Sequence, residues 1–105
     1  MSGRLATANL SANTITNVYT VPANKLASIN VSVCNASGGS ASIRLAISDT
    51  GNIQGADEFI EYDFQLSLNS AMERTGLILD AGKILTAHSF QSGVAVVVTG
   101  IEEIV

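Results

Sequence analysis

Between Lys25 and Asn35 apolar and polar side chains alternate one for one. Ala27, Ile29, Val31 and Val33 fall on one side, and Ser28, Asn30, Ser32 and Cys34 on the other. A period of two puts successive side chains on opposite faces of an extended chain, so this run predicts a strand with one face in a core. Pro22 just upstream has no N–H to give a ladder and ends the preceding run, TITNVYTV. Ala23-Asn24 then make the turn, asparagine tolerating the left-handed conformation that such corners require.

The same pattern recurs along the chain. Ala41, Ile43, Leu45 and Ile47 are expected inward against Ser42, Arg44, Ala46 and Ser48, with Asn35–Ser40 as a Gly-rich turn that makes the two runs a hairpin. The longest irregular stretch follows, DTGNIQGAD at Asp49–Asp57. Ile60, Tyr62, Phe64 and Leu66 then alternate with Glu61, Asp63 and Gln65, predicting a third core strand that holds most of the aromatic mass. Met72–Leu79 resumes the extended pattern with Gly76 as a bulge or close-approach site. Asp80-Ala81-Gly82-Lys83 reads as a hairpin turn into Ile84–Phe90, and Gln91-Ser92-Gly93 turns again. The last run is apolar on both faces from Val94 to Val98, as expected of a central strand or one covered by a partner. The first run, RLATANL at residues 4–10, is weakly apolar and suits an edge strand or an arm reaching a neighbouring subunit.

Short strands parted by frequent turns, with no helical period, predict an all-β protein: an antiparallel β-sandwich of about eight short strands, jelly-roll or immunoglobulin-like. At 105 residues the chain is expected to be one domain over 1–105, with 1–12 as a candidate N-terminal arm. Apolar residues make up 47% and charged ones only 13%, half the usual charged share, so much of the surface is expected to be covered by something. Nine acidic residues against five basic ones give a net charge of -4 with no basic cluster, which argues against a nucleic-acid partner. No window approaches a membrane span and the first residues lack the apolar segment of a signal peptide, so synthesis in the cytoplasm is expected. The triplets at Asn9, Asn30 and Asn35 match the glycosylation pattern only by composition.

Candidate chemistry is sparse. Cys34 is the single cysteine and is expected as a buried thiol. His88 is the single histidine, without a nucleophile at a useful spacing, and is expected as an exposed or satisfied strand residue. Asp57, Glu58, Glu61 and Asp63 offer carboxylates to a hard cation. Alternation puts Glu61 and Asp63 on one strand face and leaves Asp57 and Glu58 in the loop, so a solvated or docking acidic face is expected and no metal or other cofactor. Arg44 and Arg74 are expected to pair within the chain with Glu61, Asp63 or Glu73, or across a subunit boundary. Only Phe59 and Phe90 look outward by alternation. No catalytic residue is expected.

Taken together, YTVPANK leading into SINVSVCNASG, then SIRLAIS, FIEYDFQL, MERTGLILDAGKIL and GVAVVVTGIEE resemble small structural proteins of tailed bacteriophages of the cyanophage type. The likeness runs from about Leu5 to Glu103. It implies a non-enzymatic virion component made in the host cytoplasm: a capsid cement or decoration protein that clamps the shell, or a β-module of tail, baseplate or fibre. A compact domain without fibre repeats favours cement, as a homotrimer whose partner is the major capsid protein or another virion protein. The candidate interface residues are Arg4, Leu5, Arg44, Asp57, Glu58, Phe59, Glu61, Arg74 and Phe90. The rival class is a host-surface or glycan-binding module, whose signature is a cluster of exposed aromatics.

Overall fold

The computed structural model describes residues 2–105, with side chains from Gly3 onward; Met1, the first residue of the expected arm, lies outside the described residues. The chain forms eight strands: β1 (Ser2–Leu10), β2 (Thr16–Thr20), β3 (Lys25–Asn35), β4 (Ala41–Ser48), β5 (Phe59–Leu66), β6 (Ala71–Leu79), β7 (Ile84–Ser89) and β8 (Val94–Ile104). They make two antiparallel four-stranded sheets, a front sheet in the order β1-β8-β3-β6 and a back sheet in the order β2-β7-β4-β5.

Four of the pairings are nested: β1 with β8, β2 with β7, β3 with β6, β4 with β5. The chain is thus one long antiparallel ribbon folded back at the Asp49–Glu58 loop and rolled so that successive pairs alternate between sheets. This is the jelly-roll arrangement of a sandwich, which decides between the two topologies left open by the sequence. It also corrects two expected hairpins. β3 and β4 lie in different sheets, as do β6 and β7, so the turns at Ala36–Ser40 and Asp80–Lys83 cross from one sheet to the other. Alternation predicts that a strand has an inner face but does not say which neighbour shares its sheet.

The inward row of β3, Ala27, Ile29, Val31 and Val33, is fully buried, together with Val94, Val96 and Val98 of β8 and Ile43, Leu45 and Leu85 of the back sheet. Short branched side chains from both sheets fill the space between them, as aligned sheet packing requires. β8 is central, flanked by β1 and β3. Residues 2–10 of the expected arm form the edge strand beside it, with Leu10 buried and Leu5 half-buried against the core.

Two side chains bind the sandwich at its margins. Buried Asn35 donates through Nδ2 to the carbonyls of Leu66 (2.9 Å), Gly39 (2.7 Å) and Ser67 (3.2 Å) and accepts from Ser37 through Oδ1, tying the end of β3 to the β5–β6 turn. On the other side the Tyr19 hydroxyl donates to the Glu102 carboxylate, joining β2 to β8. Burial, then that carboxylate, pushes the Tyr19 phenol well above its ordinary value.

Register shifts interrupt four of the strand pairs, and those on β6 and β5 reset the burial pattern. Gly76 at φ 72 sits where the register between β3 and β6 shifts, and its N–H is taken up by Asn30 Oδ1 at 3.2 Å. β5 shifts twice against β4, with Asp63 at φ 52. The expected all-inward row of β5 therefore fails: Leu66 is buried and Ile60 packs half-buried against the core, but Phe64 is 38% and Tyr62 59% exposed. β5 is an edge strand, and the left-handed residue in its middle breaks the period of two.

Candidate interaction surface

The outer face of the back sheet is half covered by the chain itself. Ala46, Ser48 and Thr86, expected to face solvent or left unplaced by the pattern, are fully buried. The Asp49–Glu58 loop accounts for this. Gln54 Nε2 donates to Thr86 Oγ1 (3.2 Å) and to the Arg44 carbonyl (3.4 Å), and the Ser48 and Thr86 hydroxyls bond each other at 3.0 Å. The loop is closed by Glu58, whose two carboxylate oxygens accept from the backbone N–H groups of Gly55 (2.8 Å) and Asp49 (3.1 Å). It is pinned to neighbouring strands by Asn17 Oδ1, which accepts from Asn52 N, and by the Lys83–Asp49 ion pair.

Beside the loop the face carries an open cluster of a different kind. Arg44 of β4 lies opposite His88 of β7 and donates through Nε and Nη2 to the two oxygens of Asp63 on β5. Its guanidinium stacks over the Tyr62 ring at 4.3 Å and the Phe90 ring at 5.0 Å. Phe59 meets Tyr62 edge to face, and His88 meets Phe90 likewise, each at 4.8 Å between centroids. The arrangement holds one cation against two aromatic faces and one carboxylate, each of modest worth at a solvated surface. The Arg44 bond holds the Asp63 carboxyl below its ordinary range. Burial, then the Arg44 charge, lowers the His88 imidazole, while Asp63 pulls it the other way.

His88 departs from its expected state. It is half-buried, and its Nδ1 is enclosed without a hydrogen-bond partner among the described residues.

The expected interface residues divide among four places. Arg44, Phe59 and Phe90 come together on the back face with Asp63, one of the ion-pair partners expected for Arg44, and are joined by Tyr62 and His88, which the strand pattern does not select. Asp57 and Glu58 stand in the neighbouring loop, where Glu58 serves the loop's own backbone. Glu61 and Arg74 pair at 2.7 Å between β5 and β6, the edge strands of opposite sheets, so they clamp one open side of the sandwich. Glu61 and Asp63 thus part company, against the expectation that they share a face. Arg4 and Leu5 lie on β1 of the front sheet. One signal for the missed residues is present in the sequence: an aspartate in mid-strand between two aromatics, a residue that tolerates the left-handed conformation of a bulge.

Cys34 is exposed on the outer face of β3, correcting the expected buried thiol; its own neighbours Val33 and Asn35 are the buried ones. Asn35, one of the three glycosylation-pattern asparagines, is buried and fully bonded. Among the described residues no group of three or more His, Cys, Asp and Glu gathers to hold a metal ion, and no helix is long and apolar enough to cross a membrane.

No protein-family model matches the chain, and no curated protein is similar to it in sequence. Two solved structures of a pentameric capsid protein isolated from metagenomic phage sequences are similar at 18% and 17% identity, with TM-scores of 0.41 and 0.42. Each similarity covers 93% of this chain and 62% or 63% of the solved one, so the chain spans less than two thirds of their length. Likeness of that degree assigns no role.

Proposed function

We propose that the chain is a non-enzymatic structural protein of a tailed-bacteriophage virion, and that it acts as a capsid cement or decoration protein bound to the shell as a homotrimer. The resemblance of its strand segments to small phage structural proteins suggests the class. The jelly roll, an architecture used by viral shell and lectin domains, is compatible with it by analogy of fold alone. The observation that carries the shell-binding reading is the Arg44–Tyr62–Phe90 cluster. Aromatic and arginine side chains are the residues that dominate interface energies, and here they are held ready on a rigid sheet, with Tyr62 59% and Phe90 40% exposed. The partner is the major capsid protein or another virion protein, with Asp57 at the margin of the patch available to a basic surface. The trimer comes from the cement reading and is tested by mass.

Co-sedimentation with undecorated shells tests the proposal. Wild-type chain pellets with the shells, and Tyr62→Ala with Phe90→Ala reduces the bound fraction at least tenfold while the fold is kept. Unchanged binding by the double variant removes the back face from the contact.

The same exposed rings favour a second reading, a host-surface or glycan-binding module, because aromatic faces also stack on sugars. Binding to intact host cells in place of shells selects that reading. Labelled chain found on tail or fibre places it there instead.

A further inference from the structure

We propose that the outer face of the front sheet is a self-association surface, on which a second copy of this chain packs about a two-fold axis running along the strands between β3 and β8. This contact is separate from the back-face reading above and does not rest on it.

The face is bare. Its side chains, read from the cross-strand register, run in rows: Asn9–Ala95–Cys34–Ala71, Thr7–Val97–Ser32–Glu73, then Arg4–Thr99–Asn30 beside Thr75, and Ile101–Ser28–Ile78. None of these residues is buried, and Ile78 and Ile101 are 68% and 52% exposed. Four strands about 4.8 Å apart and about eight residues long present roughly 500 Å². Two such faces together reach about 1,000 Å², the lower bound for a specific interface. The two central strands present only small and branched side chains along Cys34–Ser28 and Ala95–Ile101, with the long charged ones, Arg4 and Glu73, at the edges, so two sheets can approach face to face at the usual ~10 Å spacing.

The charges choose the partner and the axis. Arg4 and Glu73 stand on this face at opposite edges, on β1 and β6, and neither has an ion-pair or hydrogen-bond partner among the described residues. They lie two residues apart along the strand direction, about 7 Å, within reach of an arginine side chain. A two-fold axis along the strands lays β1 of one copy over β6 of the other, so Arg4 meets the second copy's Glu73 twice. An axis across the strands would lay β1 on β1 and β6 on β6, leaving both charges unmatched. Glu103 stays at the end of the face, beside Leu26, where water reaches it. With the chosen axis the two Cys34 Cα atoms fall about 11 Å apart, from the strand and sheet spacings. That separation is too wide for a disulfide, and each thiol is covered by the second copy.

Sedimentation of the full chain over a concentration series, with Arg4→Glu, Glu73→Arg and the double swap, tests the proposal. Each chain weighs 10.8 kDa. Even assemblies support it: six chains where two of the trimers proposed above pair through this face, or two chains where the three-fold contact forms only on the shell; a monomer at the highest concentration or an unpaired trimer in solution overturns it. Each single swap weakens pairing about tenfold, since two attractive pairs become two repulsive ones. The double swap restores it to within about threefold of wild type by reversing both charges together. A double variant no better than the singles overturns the two-fold geometry, as does a Cys34 thiol that reacts with a disulfide reagent as fast in the associated wild-type chain as in the monomer. Circular dichroism of the variants, all changed at exposed positions, confirms that they fold.

Discussion

The two outer faces of this sandwich differ in who satisfies them. On the back face the chain does so itself: the Asp49–Glu58 loop lies over Ala46, Ser48 and Thr86, and Arg44 is bound by Asp63 and two aromatic rings. On the front face nothing from the chain covers β3 and β8, and Arg4 and Glu73 are left to solvent. One face is finished and presents a few large, fixed side chains. The other is plain and presents many small ones. Recognition through fixed anchors and association through a broad flat area are different physical strategies, and the two sheets divide between them.

The largest effect is expected from breaking the flatness of the front sheet. A Cβ on Gly100 would lie 2.1 Å from the Ser28 carbonyl oxygen and 2.8 Å from the Ile29 Cα, both backbone atoms of the paired strand. Neither can move without parting β3 from β8 at the centre of the sheet. Gly100→Ala is therefore expected to cost about 3–5 kcal/mol, at the upper end of single-residue effects, read as a shift in urea midpoint. A shift under 1 kcal/mol would mean that the central ladder is looser than the structure has it.

Next comes uncovering the back face. Glu58→Ala removes the acceptor for two loop N–H groups and frees the segment that buries Thr86 and Ser48. Charge-assisted bonds to backbone give an expected loss of about 1–2 kcal/mol. Limited proteolysis should then cut between Thr50 and Asp57, and should leave the wild-type loop intact.

What the sequence made legible follows the same division. The front sheet obeys a period of two through β3, so Ala27, Ile29, Val31 and Val33 are core by inspection. The back sheet does not, because its burial depends on a loop folding over it and on a bulge at Asp63, neither of which is periodic. Eight strands and a sandwich are readable from turn spacing. Which strands share a sheet is not, since a turn such as Ala36–Ser40 has the same composition whether it joins neighbours or crosses the core. The Arg44 cluster was half legible: Arg44 and Phe90 stand out as candidates, but bringing Tyr62 beside them needs the register of three strands.

A smaller effect belongs to His88, enclosed on the finished face. Its imidazole is lowered from the ordinary 6.5, burial first and the Arg44 charge second. The unfolded chain therefore takes up a proton that the folded chain refuses. Stability is untouched well above pH 6.5 and declines as pH falls from there through the folded-state value. The carboxylates add their own acid dependence at lower pH, so the useful quantity is the difference between wild type and His88→Gln. The variant should lose less stability than wild type between pH 7.5 and pH 5, measured by denaturant midpoints. Equal losses would mean that His88 is as free in the folded chain as in the unfolded one.

The smallest expected change tests the bare face at its one reactive atom. Cys34 projects from β3 between Ala71 and Ala95, on the uncovered side of the sheet, and is exposed. No core contact is lost when its sulfur becomes oxygen, so Cys34→Ser should stay within about 0.5 kcal/mol of wild type, as surface substitutions do. The thiol of the native monomer should titrate with a disulfide reagent in one fast phase, without waiting for unfolding. A thiol facing inward would instead react only at the rate of global opening, and its replacement by serine would bury an unpaired hydroxyl at a cost of about 1–3 kcal/mol. The reagent rate also carries the comparison between faces to higher concentration. If a second copy covers the front sheet, Cys34 should become slower to react as the chain associates, while Tyr62 and Phe90 on the opposite face keep their exposure.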